Sequence, residues 1–154
     1  MAKPDYPALL KPGLHRVTLE ELHALAVAPF PEDERRKKLY GQLAAWAAAL
    51  QALGVGSMLW LDGSFLTEKP APGDIDCVLW HPHWVNDSAT ATLEVQAQVK
   101  HLLDRDAAEK LFGLDLYVEV PTEDQVFHHE SYWRGVLGFC HDRTTAKGFA
   151  EIQL

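Results

Sequence analysis

Three short apolar runs, two of them carrying acidic residues at alternate positions, constrain this chain more than any other feature. Leu114-Asp115-Leu116-Tyr117-Val118-Glu119-Val120 alternates cleanly and reads as a β-strand. Asp74-Ile75-Asp76-Cys77-Val78-Leu79-Trp80 alternates at its start and turns apolar at its end, a second strand. Ser57-Met58-Leu59-Trp60-Leu61 reads as a buried third. Residues two apart on a strand share a face, so Asp74 and Asp76 point the same way, and Asp115 points away from Leu114 and Leu116. The short link between the first two strands, Asp62-Gly63-Ser64 as a turn and then an extended loop from Lys69 to Gly73, favours an antiparallel pair.

Helical segments separate these strands. Thr18-Leu19-Glu20-Glu21 is a capping box opening a short helix to about Ala26. Leu39, Leu43, Trp46, Leu50 and Leu53 recur at three- and four-residue steps, which predicts a long helix from about Glu32 to Leu53, stopped by Gly54. The basic run Arg35-Arg36-Lys37-Lys38 reads as a solvated face of its first turns, with a phosphate or RNA contact as the alternative. Ser88 to about Phe112 reads as mostly helical. Thr122 to Gln125 is another capping box, opening a helix to about Arg134. The expected fold class is α+β: a mixed β-sheet with helices packed mainly on one face. One domain spans 1–154, with 1–17 a non-helical N-terminal arm and 138–154 a C-terminal segment of two short strands around a turn near Thr145.

Composition narrows the partners. Apolar residues make up 47% and charged residues 23%, ordinary for a globular domain. Fourteen Lys and Arg against twenty-two Asp and Glu leave a net charge of −8. Sequence-blind binding to nucleic acid or an anionic membrane needs a basic field, so a nucleic-acid partner is disfavoured but left open. No apolar run reaches the roughly 18 residues of a membrane span. Met1 to Asp5 lack a signal-peptide layout, and two cysteines make no disulfide framework; a reduced, cytoplasmic setting is expected.

Three carboxylates facing one way on neighbouring strands repel one another unless a divalent cation neutralises them. An all-oxygen set suits Mg²⁺ or Mn²⁺. The spacing alone leaves a second arrangement open, in which the three lie at strand edges in water and never meet. Gly63-Ser64 weighs on the choice. Glycine lets backbone approach a ligand closely, and a serine hydroxyl with nearby amides holds phosphate oxygens.

Gly63-Ser64, nine intervening residues, Asp74-Ile75-Asp76, and Leu114-Asp115-Leu116 in a later strand together resemble the signature of the DNA polymerase β-type nucleotidyltransferase superfamily. The stretch from Trp60 to Leu79, the opening Pro12-Gly13-Leu14-His15-Arg16 and the closing Lys147-Gly148-Phe149 are similar to a bacterial family of small nucleotidyltransferase-like proteins. The resemblance implies that Asp74 and Asp76 hold two Mg²⁺ ions on the triphosphate of a bound NTP, ATP being the expected one. It implies that Asp115 completes the catalytic metal site and helps deprotonate the attacking hydroxyl, and that Gly63 and Ser64 hold the β- and γ-phosphates. Lys69, in the loop facing that triphosphate, is a further nucleotide-binding candidate beside its reading as a solvated loop lysine.

The implied activity is Mg²⁺-dependent transfer of an NMP to a hydroxyl or amine acceptor that the sequence does not identify. A chain this short has little room for a second domain. The acceptor pocket is therefore expected from the arm, the helices, the C-terminal segment or another subunit, which leaves a protein partner or homo-oligomer open. The alternative is a non-catalytic nucleotide-binding or regulatory module, such as a toxin–antitoxin or defence component. His81-Pro82-His83 and His128-His129 lack zinc-site spacing and read as surface histidines. Cys77 reads as a buried small hydrophobe, and Cys140 has no nucleophile motif around it. Trp60, Trp80, Trp84 and Trp133 read as core and rim, with base stacking a minority reading for Trp80 and Trp84. Arg143 and Lys147 are candidates to bring positive charge to the site.

Overall fold

The computed structural model describes residues 3–87 and 91–154. A five-stranded mixed sheet organises the chain. Its strands are β1 (Gly13–Arg16), β2 (Val55–Asp62), β3 (Ile75–Trp84), β4 (Leu114–Glu119) and β5 (Gly148–Gln153), in the order β1-β5-β2-β3-β4. The β2–β3 and β2–β5 pairs are antiparallel; β1–β5 and β3–β4 are parallel. This is the expected α+β class, with an antiparallel first pair.

Parity sorts the sheet into two faces. Leu59, Leu61, Ile75, Cys77, Leu79, Leu114, Leu116, Ala150 and Ile152 belong to the main core. Helices α1 (Leu19–Ala26), α2 (Glu34–Ala52), α3 (Leu93–Leu102) and α4 (Arg105–Phe112) cover that side. The α2 stripe of Leu39, Leu43, Trp46 and Leu50 is fully buried there. Trp60, Val78, Trp80 and Phe149 face the other way, where α5 (Val126–Leu137) lays Trp133 and Leu137 over them. Among the described residues, four α-helices on one face and one on the other is the "mainly one face" arrangement.

Several expectations change in detail. The arm is not simply irregular: Gly13–Arg16 forms edge strand β1 against β5. The stretch expected to be mostly helical is so, but as two helices, α3 and α4. Asp104, whose carboxylate accepts from the Ala107 amide, caps a new helix, and the chain turns at Leu103. The start of that reading, residues 88–90, lies outside the described residues. The C-terminal segment holds one strand, not two. Phe139 and Ala146 make an isolated bridge around a turn in which Asp142 accepts from Thr144 and Thr145. The Thr18–Glu21 capping box forms in full. At Thr122 half of the box forms: its amide donates to Gln125 Oε1 at 3.4 Å, but its hydroxyl goes to Asp124, and α5 starts at Val126 without a side-chain cap. Among the described residues no helix is long and apolar enough to cross a membrane.

Candidate functional site

The α5 face of the sheet carries a row of aspartates. Asp62 ends β2 opposite Asp76 of β3, and Asp76 pairs in register with Asp115 of β4. Directly opposed residues have Cβ atoms about 5 Å apart, so three carboxylates stand side by side. Asp74, just before β3, shares Asp76's face. Asp74, Asp76 and Asp115 each offer an oxygen within 4.8 Å of the others, and all three side chains are partly exposed. The alternative in which they stay apart does not describe this fold.

Crowding has the expected electrostatic cost. Burial first, then the charges of Asp74 and Asp115, push the Asp76 carboxyl up to about 6. Asp74 is raised by burial, Asp115 and Glu109, with Lys3 and Lys69 pulling the other way. Burial also raises Asp62, although Lys147 Nζ lies 2.9 Å from its Oδ2. At the other end of the row Arg105 Nη2 lies 2.7 Å from Asp115 Oδ1, donates to the Tyr117 hydroxyl and stacks over its ring.

Gly63 follows Asp62 at φ 88°, a conformation that side chains resist. A Cβ built there would lie 2.6 Å from Asp76 Oδ2. The glycine therefore lets the turn press against the carboxylate cluster. Ser64 opens a single 3₁₀ turn, Ser64–Leu66, whose carbonyl at Ser64 accepts from the amide and hydroxyl of Thr67. Gly63→Ala is expected to cost about 1–3 kcal/mol and to weaken Mn²⁺ binding at least tenfold by displacing Asp76. Melting curves and a Mn²⁺ titration measure the two effects, and unchanged Mn²⁺ affinity would remove Gly63 from the site.

The loop that delivers Asp74 is lashed to the start of α2. Arg36 is wholly buried, and its guanidinium donates to the carbonyls of Ala26, Phe65, Thr67 and Lys69. Arg35 donates to the carbonyls of Pro72 and Gly73. Asp33 caps α2 and accepts from the Ala71 amide, where the backbone takes φ 45°. The basic run is thus not simply a solvated face: two of its four members shape the loop. Arg36 stands three residues before Leu39, on the buried stripe, and that periodicity was the signal available.

Other candidates sit elsewhere. Cys77 is buried on the opposite face with its thiol pushed far up by burial, which makes it inert. Trp80 is buried edge-on against Trp60, which leaves it no open face for stacking, and Trp84, partly exposed, packs against the main core. His129 bonds Glu119, and His81 and His83 lie on the far stretch of β3. Arg143 is exposed in the 142–145 turn. Among the described residues, Asp74, Asp76 and Asp115 are the group of metal-ligating side chains that converges.

Fold and site together define a class: an α+β protein with a carboxylate triad on one face of a mixed sheet. The chain belongs to a family of unknown function, DUF6932, which matches residues 4–153. Comparison with curated proteins and with solved structures found no match.

Proposed function

We propose that the protein is a Mg²⁺- or Mn²⁺-dependent nucleotidyltransferase that moves an NMP from an NTP, with ATP the expected donor, to a hydroxyl or amine acceptor. One observation carries the reading: Asp74, Asp76 and Asp115 offer oxygens within 4.8 Å of one another, beside a glycine turn pressed on Asp76. The donor set fits a hard divalent cation, being all oxygen and mutually repelling without one. Asp74 and Asp76 would hold the ions with Asp115 completing the set. When bound, such ions neutralise phosphate charge and acidify an attacking hydroxyl. Gly63 gives the phosphates room for close approach, and Ser64 and Lys69 supply a hydroxyl and a charge nearby. In the transfer the acceptor oxygen or nitrogen bonds to the α-phosphorus as the bond to the pyrophosphate oxygen breaks. Pyrophosphate leaves with that electron pair, and the acceptor's proton passes to Asp115.

The test is release of pyrophosphate from each NTP with Mg²⁺, offered small alcohols, amines, RNA and proteins as acceptors. Release is expected from the wild type and a loss of at least a hundredfold from Asp76→Asn. Nucleotide binding without release from any mixture would favour a binding module. Wild-type protein that neither binds nor turns over any NTP would overturn the proposal.

A further inference from the structure

Lys147 is fixed one residue ahead of β5. Its amide donates to the Gly138 carbonyl at 2.9 Å. The following Gly148 lies so close to the arm that a Cβ there would stand 2.1 Å from the Lys11 carbonyl oxygen. The backbone therefore has one path, and the side chain runs to Asp62 with only 13% of its own surface and 3% of the aspartate's exposed. Buried ion pairs are a poor device for stability alone, because apolar residues of similar volume often serve as well. The location of this one is informative. Asp62 is the cross-strand neighbour of Asp76 and directly precedes Gly63. The ammonium thus stands on the Gly63-Ser64 flank of the row, opposite the flank where Arg105 meets Asp115. Its charge acts on Asp76 as well as Asp62. An ammonium carries three donor hydrogens, more than a single carboxylate oxygen at 2.9 Å takes up.

We infer that Lys147 contacts the polyphosphate of the nucleotide and that Asp62 is the positioning residue that aims it. The inference rests on the nucleotidyltransferase reading and extends it to two residues outside the triad. A lysine acts on phosphate as a point charge and needs aiming, since its stem is flexible. Left without Asp62, the ammonium would have no fixed position on the phosphate flank. Held by Asp62, it faces the phosphate flank and leaves Asp74, Asp76 and Asp115 to the metal.

The experiment compares Mn²⁺ binding by electron paramagnetic resonance with calorimetric binding of ATP and inorganic triphosphate in the presence of Mn²⁺. The variants are Lys147→Arg, Asp62→Asn and Asp62→Asn/Lys147→Met; the last removes both charges at once and strands neither. The double variant is expected to bind Mn²⁺ within about threefold of wild type and triphosphate about tenfold to a hundredfold more weakly, the span of one charge-assisted hydrogen bond. Lys147→Arg should recover most of that loss. Asp62→Asn, which keeps the lysine but removes its aim, should weaken triphosphate several-fold with Mn²⁺ unchanged. A double variant that binds triphosphate like wild type would make Lys147 a structural counter-ion and overturn the inference, as would equal loss of Mn²⁺ and triphosphate. Unchanged triphosphate binding in Asp62→Asn would overturn the aiming role. Wild-type protein that binds neither ATP nor triphosphate with Mn²⁺ would instead overturn the nucleotidyltransferase reading.

Discussion

Asp76→Asn is expected to stabilise the metal-free protein at neutral pH and, in the same molecule, to show none of the stabilisation by Mn²⁺ plus ATP that is expected of the wild type. The first half follows from the crowding of carboxylates. Asp76 titrates near 6 in the fold, against about 3.9 in an unfolded chain. A carboxyl raised by folding contributes stability that is fully present below about pH 4 and is lost as pH rises through about 6. Above that, the ionised group costs roughly 3 kcal/mol, at about 1.4 kcal/mol per unit. Asparagine carries no such cost. The two melting temperatures should therefore nearly coincide at pH 4 and separate by several degrees in favour of the variant by pH 7.5. Asp62 and Asp74, also raised, remain in both proteins, and both couple to Asp76, so the difference curve reports Asp76 together with its coupling to these neighbours. The second half follows from ligand chemistry. A ligand that binds the folded state alone adds about 2.7 kcal/mol at a hundredfold excess over its Kd, and an amide is a far weaker partner for a hard cation. Melting curves across pH, with and without Mn²⁺ and each NTP, separate the two effects. A variant that keeps the full ligand shift would place the ligand elsewhere.

Arg36→Met is expected to cause the largest loss of stability of any change near the site, on the order of 3–5 kcal/mol and roughly ten degrees of melting temperature. The guanidinium is fully buried between Phe30 and Phe65, with its carbon 4.1 Å from the first ring centroid. It donates to the carbonyls of Ala26 at 3.1 Å, Phe65 at 2.8 Å and Lys69 at 2.8 Å, and to that of Thr67. Methionine fills the volume and leaves four carbonyls and the Asp33 carboxylate without that partner. Arg36→Lys should rescue little, because three donors on one nitrogen do not match a planar fork spread over several acceptors. At temperatures where Arg36→Met is still folded, its Mn²⁺ affinity should fall too, since the loosened 65–73 loop leads directly into Asp74. Chemical denaturation and a Mn²⁺ titration at low temperature measure both. Wild-type stability in Arg36→Met would contradict the lashing role.

What the sequence revealed, and what it hid, follows from how local each signal is. The strands β2, β3 and β4 announced themselves through apolar runs, the pair Asp74 and Asp76 through a two-residue parity, and α1 through a capping box that forms as written; spacing alone left open whether Asp115 meets that pair. Asp62 was hidden because Asp-Gly-Ser is turn chemistry, although Trp60 two residues earlier puts Asp62 on the same face as Asp76. Arg36 was hidden by charge: four basic residues in a row look solvated, while the three- and four-residue spacing to Leu39 and Leu43 puts one of them inside. The division between α3 and α4 turned on Asp104, a weak helix former that serves better as a cap. The pairs Lys147–Asp62 and Arg105–Asp115 join residues brought together by sheet order, which no local pattern encodes.

The central claim, that Asp74, Asp76 and Asp115 hold the divalent cations of a nucleotide site, is tested most directly by a crystal structure with Mn²⁺ and a non-hydrolysable ATP analogue, using the anomalous signal of manganese to locate the metal. The expected result is anomalous density within coordination distance of all three carboxylates, with the polyphosphate running from it toward Gly63 and Ser64. Manganese bound away from the triad, or a nucleotide seated elsewhere while the triad stays as it is in the free protein, would contradict the account.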